Sequence, residues 1–99
     1  MMYPDDRQWQ LFERYKDCPP SMTPSTFLQR WDLDYPAIAR LTGVSRDTVA
    51  HWFSRGAGSR PAPEPYQRRL ATIDFFWRNS DRIPRELLDE WCGLQENSE

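Results

Sequence analysis

Arg46, Asp47, Ala50, His51 and Ser54 fall, at roughly 100° per residue, on one arc of a helix. The arc carries a guanidinium fork, a carboxylate, an imidazole and a hydroxyl around one small residue. Groups of this kind donate and accept hydrogen bonds across a surface that another molecule can approach closely at Ala50. They do not assemble a nucleophile. His51 is the only histidine, so neither a catalytic triad nor a histidine metal cluster can be built, and no glycine-rich phosphate loop of the GxGxxG or GxxxxGK type occurs. Asp89 and Glu90 sit near a helix end with no sign of a pocket and read as solvated surface. The expectation is therefore not an enzyme, with no catalytic residue, no metal site and no cofactor. What remains is recognition by hydrogen bonding.

The elements that must hold this arc are legible from caps and breakers. In "IARLTGVSRDTVAHW", Asp34 caps a helix from Tyr35 to Thr42, with Pro36 harmless in its first turn and Ile38, Ala39 and Leu41 facing inward. Gly43 supplies the left-handed backbone that ends it, Val44 fills the space beneath, and Ser45 caps a second helix from Arg46 to about Arg55. Val49 and Trp52 anchor that helix inward, which turns the arc outward. Two short helices joined through such a turn form a helix-turn-helix, a unit that supports its second helix so that it can enter a major groove.

Residues 5–16 place Trp9, Leu11, Phe12 and Tyr15 at helical spacing, and "CPPSMTP" follows as a linker ending in Thr23 as N-cap and Pro24 as helix opener. A helix over about 24–31 carries Phe27, Leu28 and Trp31. Beyond the loop "GAGSRPAPEP", Glu64 to Trp77 predicts a longer helix burying Leu70, Ile73, Phe76 and Trp77; "NSD" breaks it. A last helix over about 84–94 aligns Leu87, Leu88, Trp91 and Leu94. No stretch alternates long enough to read as a strand. The fold class expected is all-α: a compact five- or six-helix domain containing a helix-turn-helix, with extra N- and C-terminal helices. Its divisions are an N-terminal helix and linker (1–22), the helix-turn-helix core (23–78) and a C-terminal helix packing on the core or on a partner (79–99).

The chain has 99 residues, enough for one modest core, and 14% aromatic content argues against disorder. Its apolar runs are far too short to span a membrane and it opens without a signal-peptide layout, so a cytoplasmic location without membrane contact is expected. Cys18 and Cys92 lack metal-ligand or disulfide spacing and read as free, mostly structural thiols. The net charge of −2 hides a gradient: residues 1–34 carry −2, residues 35–69 carry +4 and residues 70–99 carry −4. Arg40, Arg46, Arg55, Arg60, Arg68 and Arg69 form the central basic band.

The pattern A-x-x-x-G-V-S-x-x-T-V-x-x-W is present as Ala39, Gly43, Val44, Ser45, Thr48, Val49 and Trp52, followed by Gly56 and by Pro61 or Pro63. It resembles the helix-turn-helix of the Cro and phage-repressor-like (Xre-type) regulators over about residues 27–76, including Leu33, Leu70 and Ile73. The resemblance implies a five-helix-type core whose helix from Arg46 carries sequence recognition, often in a dimer on a palindromic site. Where that family often has a glutamine opening the supporting helix, this chain has Tyr35 and Pro36.

The expected function is sequence-specific binding of double-stranded DNA as a transcriptional regulator. Arg46, Asp47, Ala50, His51 and Ser54 would read bases, the Arg fork suiting guanine O6 and N7. Asp47 either accepts from cytosine N4 or simply favours the helix N-terminus. Tyr35, Ser45, Thr48, Arg55, Arg60, Arg68 and Arg69 would hold phosphates, although each of the last three serves equally well on a solvated face. A homodimer is expected, with Trp9, Phe12 and the C-terminal stripe available as its surface, and the acidic C-terminal segment can meet another protein. The alternative is a helix-turn-helix used as a protein-interaction module or adaptor, for example on the transcription machinery, without direct DNA binding.

Overall fold

The computed structural model describes residues 2–55 and 60–97, with only the helix backbone for residues 92 and 94–97. Its first four helices start at side-chain caps. Asp5 opens α1 (Asp6–Asp17) with a reciprocal pair: its carboxylate accepts the Gln8 N–H at 2.8 Å while its own N–H donates to Gln8 Oε1 at 2.8 Å. Thr23 caps α2 (Pro24–Arg30) through the Thr26 N–H, and Asp34 caps α3 (Tyr35–Thr42) through the Ala37 N–H. Ser45 caps α4 (Arg46–Phe53) through the Thr48 N–H. Pro63 precedes α5 (Glu64–Arg78) without a side-chain cap, and the Pro84 carbonyl accepts the Leu87 N–H at the start of α6 (Arg85–Asn97). The regular elements of the described residues are thus all helices, six in number, and none of them is long and apolar enough to cross a membrane.

Four of these helices make the core. α3 packs on α4, α2 on α5, α3 on α5 and α2 on α4. Phe27, Ile38, Ala39, Val49 and Leu70 form the buried centre, one or two from each of the four. Burying a side chain the size of Phe27, Ile38, Val49 or Leu70 stabilises by about 1.5–3 kcal/mol, so these few residues carry much of the fold. Around them lie half-buried Met22, Leu28, Trp31, Leu33, Trp52 and Ile73.

A polar knot was not foreseen. Asp74, 1% exposed, receives hydrogen bonds from the Trp31 indole and Arg30 at 3.0 Å and from Arg78 Nε at 2.9 Å. It ties α2 to α5. Burial alone opposes its ionisation, but the bonds from Trp31 and Arg78, the charge of Arg78 and the bond from Arg30 outweigh it and hold the carboxyl below its ordinary pKa.

Several expectations need correction. Trp77, expected to be buried, is 38% exposed: it packs edge-on against Trp31 with ring centroids 4.9 Å apart and meets Phe27 at 5.8 Å, at the rim of the core rather than inside it. Phe76 and Ile73 are half-buried, and Ala71 and Asp74 take the buried positions instead. Thr42 joins Ile38 and Ala39 inside α3 because its hydroxyl is satisfied by the Ile38 carbonyl at 2.8 Å, whereas Leu41 is only half-buried. Cys18 is a free and exposed thiol rather than a packed one. Gly56 and the side chains of Cys92 and Leu94 lie outside the described residues.

The terminal helices lie outside the four-helix core. Among the described residues neither α1 nor α6 belongs to the closely packed set, α1 buries none of its residues, and α6 meets α5 where Trp91 lies 5.3 Å from Phe76. The molecule measures 52 Å along its longest axis, with a radius of gyration of 16.6 Å against about 13 Å for a compact chain of about this length. The segment after α1 is nevertheless fixed: the Met22 N–H donates to the Gln67 carbonyl at 3.1 Å and Ser21 Oγ to Gln67 Oε1 at 3.0 Å. The same Gln67 side chain donates to the Ala62 carbonyl at 2.7 Å.

Candidate nucleic-acid interface

α3 ends at Gly43, whose φ of 79° is a conformation that costs an L-residue about 1–2 kcal/mol and glycine little. The chain then needs only Val44 and Ser45 before α4 begins. Inside α4, Val49 is fully buried, Trp52 lies against the Tyr66 ring at 5.5 Å, and Phe53 stacks on Tyr35 at 4.6 Å with an interplanar angle of 13°. These three side chains fix the rotation of α4 about its axis. Asp47, Ala50 and His51 are consequently exposed on the opposite side, with Arg46 and Thr48 on its two flanks.

Two grooves border this face. One, of about 710 Å³, runs between α3 and α4 and is lined by Pro36, Arg40, Leu41, Arg46 and Trp77. The other, of about 640 Å³, separates α4 from the segment before α5 and is lined by Thr48, His51, Trp52, Arg60, Pro61 and Tyr66. The Arg60 N–H reaches the His51 carbonyl at 3.5 Å, which brings this segment to the end of α4. Thr48, His51 and Arg60 are thus gathered on one side and Arg46 on the other, with Asp47 and Ala50 between. Arg40, which the sequence placed only in the general basic band, stands beside Arg46 in the first groove.

The remaining candidates are placed less simply. α4 stops at Phe53, two residues short of the expected end, because Ser54 is extended and turns both its N–H and its hydroxyl onto the His51 carbonyl. Ser54 therefore leaves the helical arc on which the sequence set it, and Arg55, expected on the helix flank, lies beyond the end of the helix. Ser45 and Thr48 share a hydroxyl–hydroxyl bond of 2.9 Å, so these two groups are engaged with each other at the start of α4. Tyr35 commits a ring face to Phe53 while remaining 41% exposed.

Two arginines of the expected phosphate set have partners within the chain. Arg69 donates to the Thr42 carbonyl at 3.0 Å, satisfying the end of α3. Arg68 pairs with Glu64 one turn earlier on α5, an exposed contact of the kind worth only a few tenths of a kcal/mol. Among the described residues, Arg40, Arg46, Arg55 and Arg60 make no salt bridge. They are the cations that this surface presents to solvent.

Compared with models of protein families, with curated proteins and with solved structures, the chain has no match.

Proposed function

We propose that the chain binds double-stranded DNA in a sequence-specific manner, as a transcriptional regulator of the Xre-like helix-turn-helix kind, with α4 in the major groove. One observation carries the reading: the inward anchoring of Val49, Trp52 and Phe53 leaves Asp47, Ala50 and His51 outward, flanked by Arg46 and Thr48. A major groove admits a helix of this width, and the small side chain at Ala50 lets base edges come close. Arg46 then donates its fork to guanine, Asp47 accepts from a cytosine amino group, and His51 faces the same floor. Arg40, Arg55 and Arg60 run alongside, where the phosphate backbones pass.

A second reading is favoured by a specific observation. Arg69 is bonded to Thr42 and Arg68 to Glu64, and an acid sits on the presented face. That leaves less free positive charge than the sequence alone suggests, and it suits an adaptor in which α4 docks on another protein. Binding of the chain to random duplex DNA at two salt concentrations separates the two. A groove binder releases counterions, so its affinity falls steeply as salt rises; an adaptor shows no duplex binding at either concentration. Selection from random duplexes then tests specificity: a recurring site supports the regulator, and an unenriched pool after several rounds removes it.

A further inference from the structure

A helix as short as α1 is not stable by itself in water, and in globular proteins its stability comes from an apolar face packed on something else. α1 has such a face, and none of its residues is buried. Trp9, Leu11, Phe12 and Tyr15 are each between 42% and 61% exposed, and Tyr3 and Phe12 meet Trp9 with centroids 6.3 and 6.0 Å away, forming one aromatic patch. The root of this helix is fastened to α5 through Ser21, Met22 and Gln67, so α1 is an arm on a fixed shoulder.

The same chain carries a second uncovered patch at its other end. Leu87, Leu88 and Trp91 form a stripe on α6, each between 43% and 48% exposed, and the Trp91 ring meets Phe76 at 5.3 Å. Phe75, beside Phe76, is 56% exposed. One patch therefore projects on an arm and the other lies against the end of α5.

We infer that these two patches cover each other between two copies of the chain. α1 of each copy lies on the Phe75, Leu87, Leu88 and Trp91 surface of the other, making a two-fold dimer by reciprocal exchange. Size supports a second copy as the occupant. With aromatic side chains burying about 150–250 Å² each, half-exposed rings and leucines on both patches of both copies give a total of roughly 1,200–1,600 Å², within the range of stable specific interfaces. Closure supports it as well, because a reciprocal exchange uses both patches on both copies and leaves neither open to further growth. The inference does not depend on DNA binding.

Sedimentation equilibrium of the full chain without DNA, over about two decades of concentration around the micromolar range, tests it. The mass is expected to rise from one copy to two. Phe12→Asp on the arm and Leu88→Asp on the acceptor should each weaken association by about tenfold or more while leaving the thermal melt of the α2 to α5 core in place. An equal mixture of the two variants should associate more tightly than either alone, since one intact arm then finds one intact acceptor.

Should a variant fail to fold, a mixture of isotope-labelled and unlabelled wild-type chains gives a direct reading. Inter-copy nuclear Overhauser effects from Trp9 and Phe12 to Leu88 and Trp91 are expected. A chain that stays single, a dimer with none of these inter-copy effects, or effects confined within one copy would each overturn the exchange. Failure to bind DNA would leave all of these readouts unchanged.

Discussion

The Arg69 guanidinium crosses 27 positions of sequence to donate to the Thr42 carbonyl at 3.0 Å, next to Gly43. This contact places a cation at the negative end of α3 and fastens α5 to the turn from which α4 is launched. It joins the core to the presented helix at the residue just before the turn.

Arg69→Met keeps much of the stem and removes the donor. Stability should fall by about 1 kcal/mol, read as a lower urea midpoint at unchanged slope. Duplex binding measured where the variant is still folded should change less than for Arg60→Ala, because the Arg69 head is already engaged.

Gly43→Ala should cost about 1–2 kcal/mol from backbone alone, since φ is 79° and the added Cβ would stand 3.5 Å from Arg69 Nη1, an ordinary contact. Gly43→Asn, which tolerates the left-handed region better, should cost less. Equal losses for the two substitutions in chemical denaturation would show that crowding rather than φ sets the cost.

Asp74 makes stability depend on pH in a defined direction. Its folded pKa lies below the 3.8 of an unperturbed carboxyl, so the native state binds fewer protons than the unfolded state in that range. The stabilisation is present above about pH 4 and is lost as pH falls through the lowered folded value. Asp74→Asn should flatten this acid limb of a urea-midpoint-against-pH curve. At neutral pH it should cost about 1–3 kcal/mol by weakening charge-assisted bonds from Arg30 and Arg78. Both arginines are half-exposed and can turn to water, which keeps the cost below that of a fully buried pair.

Arg46→Ala should lose about 1–3 kcal/mol on a selected site and blur one base position, whereas Arg60→Ala should weaken all duplexes alike and reduce the salt slope by about one unit. Equilibrium titrations on selected and random duplexes read both effects. Equal losses for Arg46→Ala on the two duplexes would remove it from the base-reading set.

What the sequence makes legible is what local chemistry decides. Thr23, Asp34 and Ser45 are caps whose partners lie three residues away, and Gly43 ends its helix by its own torsion; all four were placed correctly. Long-range pairings were not legible. No periodicity brings Arg30 and Trp31 to Asp74, more than forty positions on, or Arg69 to Thr42. The end of α4 was overextended because Ser54, polar and on the expected arc, satisfies the His51 carbonyl instead of continuing the helix. The candidate face is similar: its helical part follows from Val49 and Trp52, but its division into two bordering grooves depends on where Arg60 and Trp77 arrive.

Gln67 holds the approach to α2 through Ser21 and Met22 and the approach to α5 through Ala62. One amide side chain is thus a clasp shared by two segments distant in sequence. Loss of that amide would remove a hold on both segments together.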